Sequence, residues 1–309
     1  MSKRGQVVAA VAIVALAVSL SGCSNDDVPG GKGVSLTIGS LGTTENELLA
    51  HIYGQALEAD GFTVDYNPGV GTRARSLESM QEGMVDLVPE YSGPLLATLD
   101  MQSQTTSPDG VIEELPAALG PLGLAVLNPS QAESTRAFVT TREFVNAHSL
   151  ISIGDLAPFA SAITIGGPEG FESLEYGRRA LEDSYGVSDW SVLEGKTDAA
   201  ILSDLLTNRT EVAILPRSSP GVADHKLAVL SDPAFLLPPS TVIPVIPARK
   251  YSPELERIVN DVSAALTSQD LAQLNGSVGS RGTAGRKLSI PVVAEEWLQR
   301  KGFIEPVSR

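Results

Sequence analysis

The sequence predicts an α/β protein with two lobes that face one cleft. Residues 36–93 and 163–220 follow one plan, in which apolar runs alternate with helix-like segments that stop at glycine. Each segment is typical of a βαβαβ unit, which forms a parallel sheet flanked by helices. About 285 residues follow an N-terminal leader, and 42% of the chain is hydrophobic, so there is enough chain for two packed cores.

The two segments also match in detail. Each opens on an apolar run that ends in glycine, at Gly39 and Gly166, and each closes on a run that proline halts, at Pro89 and Pro216. Chance is the alternative explanation, because every α/β unit reuses strands, helices and glycine stops. In either case the carboxyl ends of the strands and the helix N-termini meet at one edge, where open parallel sheets bind ligands. We therefore expect one site bordered by residues 40–44, 89–93, 167–171 and 216–219.

The elements of the first lobe follow in order. The apolar run at residues 36–39 predicts a strand, and Thr44 with Glu47 three residues later has the spacing of a capping box that begins a helix. A strand with alternating apolar residues, a glycine-rich turn, a helix that ends at Gly83 and a third strand complete the unit. The next predicted elements are a helix around residues 111–119 and a strand over residues 122–128, which leads out of the lobe.

The second lobe starts near Pro129 and holds the second βαβαβ unit. Residues 227–230 are typical of a strand that returns the chain to the first lobe, where a strand at residues 241–246 and two helices follow. Ser252-Pro253 begins the first of these helices, because proline is favoured at the first helical position. The predicted boundaries are residues 34–127 with 231–309 for lobe one and residues 128–230 for lobe two, joined by a two-strand hinge.

The N-terminus has the organisation of an export signal. A basic pair precedes an apolar run over residues 7–20, and the sequence Leu-Ser-Gly-Cys then ends at Cys23. As a helix the run would span roughly 21 Å, short of the ~30 Å hydrocarbon core, so a signal peptide is favoured over a permanent membrane span. The tetrapeptide resembles the lipobox of bacterial lipoproteins, which implies cleavage before Cys23 and a lipid on its thiol. Residues 1–22 are then the signal peptide, and residues 23–33 form a polar tether rich in glycine and proline.

Composition argues against several classes of function. The net charge of −15 and the pI near 4.6 disfavour binding to nucleic acid. The single cysteine excludes an intramolecular disulfide. His51, His148 and His225 show neither metal-ligand spacing nor a Ser-His-Asp pattern, and residues 166–170 match neither a P-loop nor a dinucleotide fingerprint. We therefore expect no enzyme, no cofactor and no metal site.

Four motifs carry a resemblance to a known family. They are Ile38-Gly39-Ser40, Thr44-Glu45-Asn46-Glu47, Gly71-Thr72 and, above all, Asp86-Leu87-Val88-Pro89-Glu90-Tyr91-Ser92-Gly93. On these motifs the chain resembles the solute-binding lipoproteins of osmoprotectant ABC importers, a family that binds glycine betaine, choline or carnitine. Residues 235–239 and 271–275 are further anchors. The resemblance implies a type II periplasmic-binding-protein fold that closes on its solute and docks on a permease driven by a separate ATPase.

Members of that family hold a quaternary ammonium group with aromatic rings from both lobes, through cation–π attraction. Tyr91 matches the cage tyrosine of the first lobe. Three other places that should carry aromatic residues hold Arg136, Arg217 and the pair Ser240-Thr241 instead. Each lost ring forfeits roughly 1 to 2 kcal/mol, so a betaine should bind about a hundredfold to ten-thousandfold more weakly. The two arginines should also repel its cationic head.

Two interpretations of the arginines stay open. Either Arg136 and Arg217 bind an anionic or oxygen-rich solute, since guanidinium groups match carboxylates, or Arg217 pairs with Glu90 across the closed cleft and Arg136 is a solvated hinge residue. The polar residues at the start of the first helix contact the ligand or cap the helix, with capping favoured. Phe171, at the equivalent place in lobe two, is a candidate to replace a missing ring. The candidate ligand-binding residues are Tyr91, Arg136, Arg217, Asn46, Thr44, Thr241 and Phe171.

The predicted function is that of an extracytoplasmic solute-binding protein of an osmoprotectant ABC importer. Its expected partners are a small solute, the permease with its ATPase, and the outer face of the cytoplasmic membrane through the lipid on Cys23. One alternative is the same fold with a solute other than a quaternary ammonium compound, such as an anion, a polyol or an aromatic compound. The other is a surface interaction or sensor lipoprotein that is not coupled to transport.

Overall fold

The computed structural model describes residues 34–103, 105–174, 176–282 and 287–305. The predicted signal peptide, the tether and Cys23 lie outside these residues. Within the described ranges, every helix is too short or too polar to span a bilayer.

Strands and helices alternate along the described chain. The strands are β1 Ser35–Gly39, β2 Thr63–Asn67, β3 Val88–Tyr91, β4 Leu124–Val126, β5 Arg136–Thr140, β6 Thr164–Pro168, β7 Ser191–Gly195, β8 Val212–Pro216, β9 Ala228–Val229 and β10 Val242–Pro247. The α-helices are α1 Thr44–Ala59, α2 Arg73–Gln81, α3 Ser92–Leu99, α4 Pro108–Leu119, α5 Arg142–His148, α6 Arg178–Tyr185, α7 Asp198–Leu206, α8 Pro220–Asp224, α9 Pro253–Ala265, α10 Ser268–Ser277 and α11 Ile290–Lys301. Short 3-10 helices cover Gly120–Leu122, Ile153–Ala162, Phe171–Ser173 and Ala248–Lys250.

Both repeated segments fold as βαβαβ units, and the chain has the predicted two-lobed α/β fold. In the first unit β1 pairs with β2 in parallel, with Ser35 opposite Thr63. A parallel bridge between Ile38 and Leu87 adds the residues that lead into β3. In the second unit β6 lies between β7 and β8 and is parallel to both. The apolar runs near Gly39, Pro89, Gly166 and Pro216 therefore form the strands β1, β3, β6 and β8.

The strands that carry the chain from one lobe into the other run antiparallel to their neighbours. In the first lobe β10 lies between β3 and β4 and is antiparallel to both. In the second lobe β5 pairs antiparallel with β8 and β9. Because β5 and β10 enter their lobes from the other lobe, they approach from the edge at which the parallel strands end. Among the strands of the described residues, the parallel pairs all lie within the repeated units and the antiparallel pairs involve β5 and β10.

The first helix is capped one residue earlier than the sequence suggested. Thr43 has extended backbone angles, φ −93° and ψ 153°, and its Oγ1 accepts the Asn46 backbone N–H at 3.1 Å. Thr44 is the first helical residue of α1. A cap must lie outside the helix so that its side chain can turn back to the free N–H groups of the first turn, and Thr43 meets this condition.

Each lobe has its own buried core. In the first lobe α1 packs against α9 and α11, and Tyr53 and Trp297 are fully buried there. In the second lobe Phe138 and Trp190 are buried beside β6 and β8. Two residues of the connecting segments cross over, because Ala132 packs in the first core and Leu237 in the second. The remaining surface between the two cores is left for binding.

Candidate functional site

The end of β3 is tied to the start of β10. Ser92 donates its backbone N–H to the Thr241 carbonyl at 3.0 Å, and its Oγ accepts the Thr241 N–H at 3.2 Å. The Gly93 N–H donates to the Pro239 carbonyl at 2.9 Å, and a Cβ at Gly93 would lie 2.3 Å from that oxygen. Only glycine permits this close approach. Thr241 is therefore buried beside Tyr91 rather than exposed in the cleft.

Tyr91 belongs to a chain of hydrogen bonds that crosses from the first lobe to the second. Its hydroxyl donates to the Glu45 carboxylate, which also accepts the side-chain amide of Asn275. The same amide donates to the Ser218 carbonyl at 3.2 Å, and Ser218 Oγ lies 2.9 Å from Ser134 Oγ. Burial raises the pKa of the Tyr91 phenol well above its usual range, and the nearby Glu45 charge adds to this shift. The phenol is therefore neutral at physiological pH. Because Asn275 lies in the first lobe and Ser218 in the second, the same hydrogen bonds bring the two lobes into contact.

Both candidate arginines line one cavity of about 190 Å³, which we call the inner cavity. It opens between the second-lobe strands and the segment that leads into β10. Its lining residues include Pro108, Glu133, Thr135, Arg136, Arg217, Asp232, Phe235, Leu237 and Pro239. Two guanidinium groups and two carboxylates therefore meet in one small space.

Each guanidinium group in the inner cavity has a carboxylate neighbour. Arg136 contacts Asp198 at 3.0 Å and donates to the Ile214 carbonyl at 3.3 Å. Arg217 lies 3.5 Å from Glu133, and its Nε is buried with no hydrogen-bond partner among the described residues. These carboxylates offset the positive charge of the arginines. The repulsion that we expected between the arginines and a cationic solute is therefore compensated.

The interpretation that Arg217 pairs with Glu90 is wrong. Glu90 is fully buried, contacts Arg73 Nε at 2.8 Å and accepts the Tyr91 backbone N–H at 3.2 Å. Burial raises the pKa of Glu90, and the charge of Arg73 opposes this shift. Because α2 begins at Arg73, the ion pair joins that helix to the end of β3 and fixes the backbone at Tyr91.

Five of the seven candidates lie outside the lining of the inner cavity, namely Tyr91, Thr241, Phe171, Asn46 and Thr44. Phe171 is fully buried, and its ring centroid lies 5.5 Å from that of Trp190 in the second-lobe core. The expectation that Phe171 replaces a missing cage ring is thus corrected, because the ring gains more from burial in this aromatic cluster. Asn46 is 3% exposed, and its Oδ1 accepts the Thr43 hydroxyl at 2.6 Å, whereas its Nδ2 has no partner within the described ranges. Thr44 is exposed in the first turn of α1.

A second cavity of about 500 Å³, which we call the outer cavity, lies beside the inner one. The two cavities share Phe235 and Pro239. Further lining residues of the outer cavity are Leu96, Asp100, Met101, Thr105, Tyr176 and Leu236. The cleft thus offers more room than a compact solute fills.

Sequence reasoning missed several of these neighbours. Glu45 and Asn275 lie within motifs that carried the resemblance, and Phe235 begins another, but none was a candidate for contact. Their positions in motifs were available, whereas their partners depend on residues far away in the chain. In the part of the chain that the structure describes, no three or more His, Cys, Asp or Glu residues are grouped to hold a metal ion.

A comparison with protein families decides the assignment. Residues 34–300 match the OpuAC family, described as the substrate binding domain of ABC-type glycine betaine transport systems. The chain belongs to this family. The match spans both lobes and includes every residue of the inner cavity and of the hydrogen-bond chain at Tyr91.

Named relatives and solved structures also match this chain, at low sequence identity. The carnitine transport binding protein OpuCC of Listeria monocytogenes is 21% identical over 312 residues, which cover 99% of each chain. A glycine-betaine-binding protein of Pseudomonas aeruginosa is 25% identical over 285 residues, or 87% of this chain and 90% of the relative. A crystal structure of a glycine betaine/carnitine/choline ABC transporter matches with a TM-score of 0.79 and 19% identity, over 88% of this chain and 99% of that one. The apo form of YehZ from Escherichia coli gives a TM-score of 0.73 at 24% identity, over 88% of this chain and 100% of that one.

These findings confirm the type II periplasmic-binding-protein fold and the predicted class of function. The protein is the substrate-binding component of an ABC importer of the glycine betaine type. OpuAC proteins are extracytoplasmic transport proteins rather than enzymes, and they work with a small-molecule solute, a permease and its ATPase. The family therefore favours transport over the sensor or interaction role.

Proposed function

We propose that this protein captures a small zwitterionic osmoprotectant, of the glycine betaine or carnitine type, in the inner cavity and delivers it to the permease. The pairing of opposite charges in that cavity carries the proposal. Glycine betaine and carnitine each join a trimethylammonium group to a carboxylate, so a site for them needs both signs of charge. Relatives named for carnitine and for glycine betaine favour this class over a purely anionic solute.

Arg217 is the proposed partner of the solute carboxylate. Its contact with Glu133 at 3.5 Å is longer than the roughly 2.7 to 2.9 Å of a strong charge-assisted hydrogen bond. A solute carboxylate would accept hydrogen bonds from the exposed part of the Arg217 guanidinium group, whose side chain is 37% exposed, and would leave Glu133 free to face the ammonium group. Arg136 is held by Asp198 and by a backbone carbonyl, so we propose that it contributes a fixed second donor.

Other candidates take supporting roles in this proposal. Tyr91 lies outside the lining of both cavities, so we propose that it acts through its hydroxyl, which holds Glu45 in the chain of hydrogen bonds between the lobes. Asn46 is buried and lines neither cavity, so we propose that it supports the start of α1 through its bond with Thr43. Thr44 remains a proposed contact at the edge of the site, whereas the buried Thr241 supports the end of β3 through Ser92.

Closure and anchoring complete the proposed cycle. The proposed lobes are residues 34–127 with 231–309, and residues 128–230. A bound solute draws them together, and the contact between Asn275 and Ser218 is part of the closed arrangement. We also propose that a lipid on Cys23 holds the protein at the outer face of the cytoplasmic membrane.

Isothermal titration calorimetry with three matched solutes tests the proposal. Glycine betaine carries both charges, choline lacks the carboxylate, and 3,3-dimethylbutyrate has carbon in place of nitrogen and so lacks the positive charge. We expect glycine betaine to bind more tightly than either of the other two, because it alone uses both halves of the inner cavity. Tighter binding of 3,3-dimethylbutyrate would favour the anionic solute instead. If neither glycine betaine nor carnitine binds, the proposal is refuted.

Arg217→Met separates the carboxylate contact from general effects of charge. A hydrogen bond to a charged group contributes about 1.5 to 3 kcal/mol, so glycine betaine should bind about 10- to 100-fold more weakly. Choline should bind at least as tightly as before, because Glu133 then faces its ammonium group without a competing cation. Arg179→Met is the matched control, because its guanidinium lies in the same lobe and is 94% exposed. Equal losses for glycine betaine and choline would show that Arg217 acts through the fold.

A further inference from the structure

Phe235 has a backbone conformation that aromatic residues rarely adopt. Its φ is +50°, in the left-handed region that favours glycine. The other non-glycine residues with positive φ in the described ranges are Ser149, Asp189, Asn208 and Lys226, and all four have polar side chains. Strained positions of this kind concentrate where proteins bind ligands.

The loop around Phe235 imposes this conformation through hydrogen bonds. The Phe235 N–H donates to the Asp232 carbonyl at 3.1 Å. The Tyr185 hydroxyl donates to the Asp232 carboxylate and accepts the Ala234 N–H at 2.8 Å. On the other side the Leu237 N–H donates to the same carboxylate at 2.9 Å, and the Leu237 side chain is buried in the second-lobe core. Hydrogen bonds thus hold both ends of the loop and favour the left-handed backbone at Phe235.

The Phe235 ring points away from that core. It is 40% exposed and lines both the inner and the outer cavity. Leu236 and Leu237, which follow it, pack against the second-lobe core instead. A strained residue with an exposed ring adds little to the stability of the free protein, so a contact with a bound molecule accounts for its position.

We propose that Phe235 is a solute-contacting residue that sets both the affinity for the ammonium group and the length of solute that the site accepts. The ring shares the inner cavity with Arg217 and Glu133, where the zwitterion of the proposed function lies. A ring face near a trimethylammonium group attracts it through the ring quadrupole. Because the same ring forms part of the wall toward the outer cavity, it limits how far a solute extends. This inference rests on the proposed function and adds a residue to its site.

Two variants separate the ring from the strained backbone. Phe235→Ala and Phe235→Gly both remove the ring, but only glycine suits the positive φ. Calorimetry with glycine betaine should show about 2- to 30-fold weaker binding in both variants. Binding of the longer O-acetylcarnitine should weaken less, because the opened wall gives it access to the outer cavity. Phe235→Tyr keeps the ring and should bind glycine betaine as the unmodified protein does.

A control variant and a melting experiment complete the test. Ile151 is 76% exposed and lines neither cavity. Ile151→Ala should therefore change the affinity for neither glycine betaine nor O-acetylcarnitine. Phe235→Gly should melt about 2 °C above Phe235→Ala, because glycine relieves the left-handed strain. Equal melting temperatures would contradict the strain argument.

The outcomes distinguish this inference from the proposed function. If the unmodified protein binds glycine betaine and both ring-less variants bind it equally well, the inference alone is overturned. If glycine betaine and O-acetylcarnitine weaken by the same factor, Phe235 does not select solute length, and that part of the inference fails. If the unmodified protein binds no zwitterion, the proposed function fails and this inference fails with it.

Discussion

Replacing Arg73 by methionine tests how the fold holds the end of β3. Glu90 is fully buried, and Arg73 Nε lies 2.8 Å from its carboxylate. Removing one partner of a buried ion pair leaves an uncompensated charge, which typically costs about 3 to 5 kcal/mol. Because the Arg73 side chain is 21% exposed, water screens the pair in part. We therefore expect the free energy of unfolding to fall by about 3 kcal/mol at neutral pH.

The loss should shrink as the pH falls. Burial already raises the pKa of Glu90 above its ordinary value of 4.5, and the loss of Arg73 should raise it further. The folded state then binds this proton more tightly than the unfolded state, so the contribution of Glu90 to stability is largest below the unfolded pKa and is lost as the pH rises through the folded pKa. Neutral Glu90 needs no cation beside it. The difference between the variant and the unmodified protein should therefore be smaller near pH 5 than near pH 8.

Urea denaturation at about pH 5 and about pH 8 measures this difference. Arg75→Met is the control, because Arg75 lies on the same helix with a side chain that is 50% exposed and pairs with Glu78 at the surface. It should leave the free energy of unfolding nearly unchanged, because exposed ion pairs contribute little to stability. Adding Glu90→Gln to Arg73→Met should restore part of the lost stability. A loss of equal size at both pH values would refute the reasoning that an ionised, buried Glu90 causes it.

Three further predictions concern packing, anchoring and closure. Gly93→Ala should lower the free energy of unfolding by about 1 to 3 kcal/mol, because the new Cβ would lie 2.3 Å from the Pro239 carbonyl oxygen; Gly120→Ala, where a Cβ meets nothing within 4 Å, is the control, and equal melting temperatures would contradict the prediction. Cys23→Ser should abolish incorporation of labelled palmitate and release the protein from the membrane fraction, and retained label would show another site of attachment. Asn275→Ala should weaken the binding of glycine betaine about 2- to 10-fold by calorimetry, because the Asn275 amide donates to the Ser218 carbonyl at 3.2 Å in the proposed closed arrangement. Gln273→Ala, at an exposed residue of the same helix, should leave the binding unchanged.

The repeated units were predictable because their signals are local. Apolar runs, glycine stops and the spacing of Thr44 and Glu47 all lie within a few residues of the elements that they mark. The helix cap was still misplaced by one residue, because Thr43 and Thr44 have the same chemistry and only the backbone angles distinguish them. The pairing of β10 with β3 and β4 was harder to predict. Its place between β3 and β4 depends on contacts such as Ser92 with Thr241, which are distant in sequence.

The site was predictable in part for the same reason. Strand ends and motifs brought Arg136 and Arg217 to one cavity, but the sequence did not show which carboxylates accompany them. Glu133 lies in the crossing segment and Asp198 at the start of α7, so only the folded chain brings them to the arginines. Phe171 was misassigned because a sequence shows that an aromatic residue follows a strand, but not which side of the sheet its ring takes.

The charge pairs change what the loss of the cage rings implies. Missing rings and repulsion by two arginines together predict that glycine betaine binds poorly. Glu133 and Asp198 compensate the repulsion, and Phe235 returns one ring with an effect of about 2- to 30-fold on the dissociation constant. A carboxylate contact with Arg217 adds about 10- to 100-fold for a zwitterion, and choline has no carboxylate with which to make it. A site built in this way should prefer glycine betaine to choline, whereas a cage made only of rings acts on the ammonium group that both solutes share.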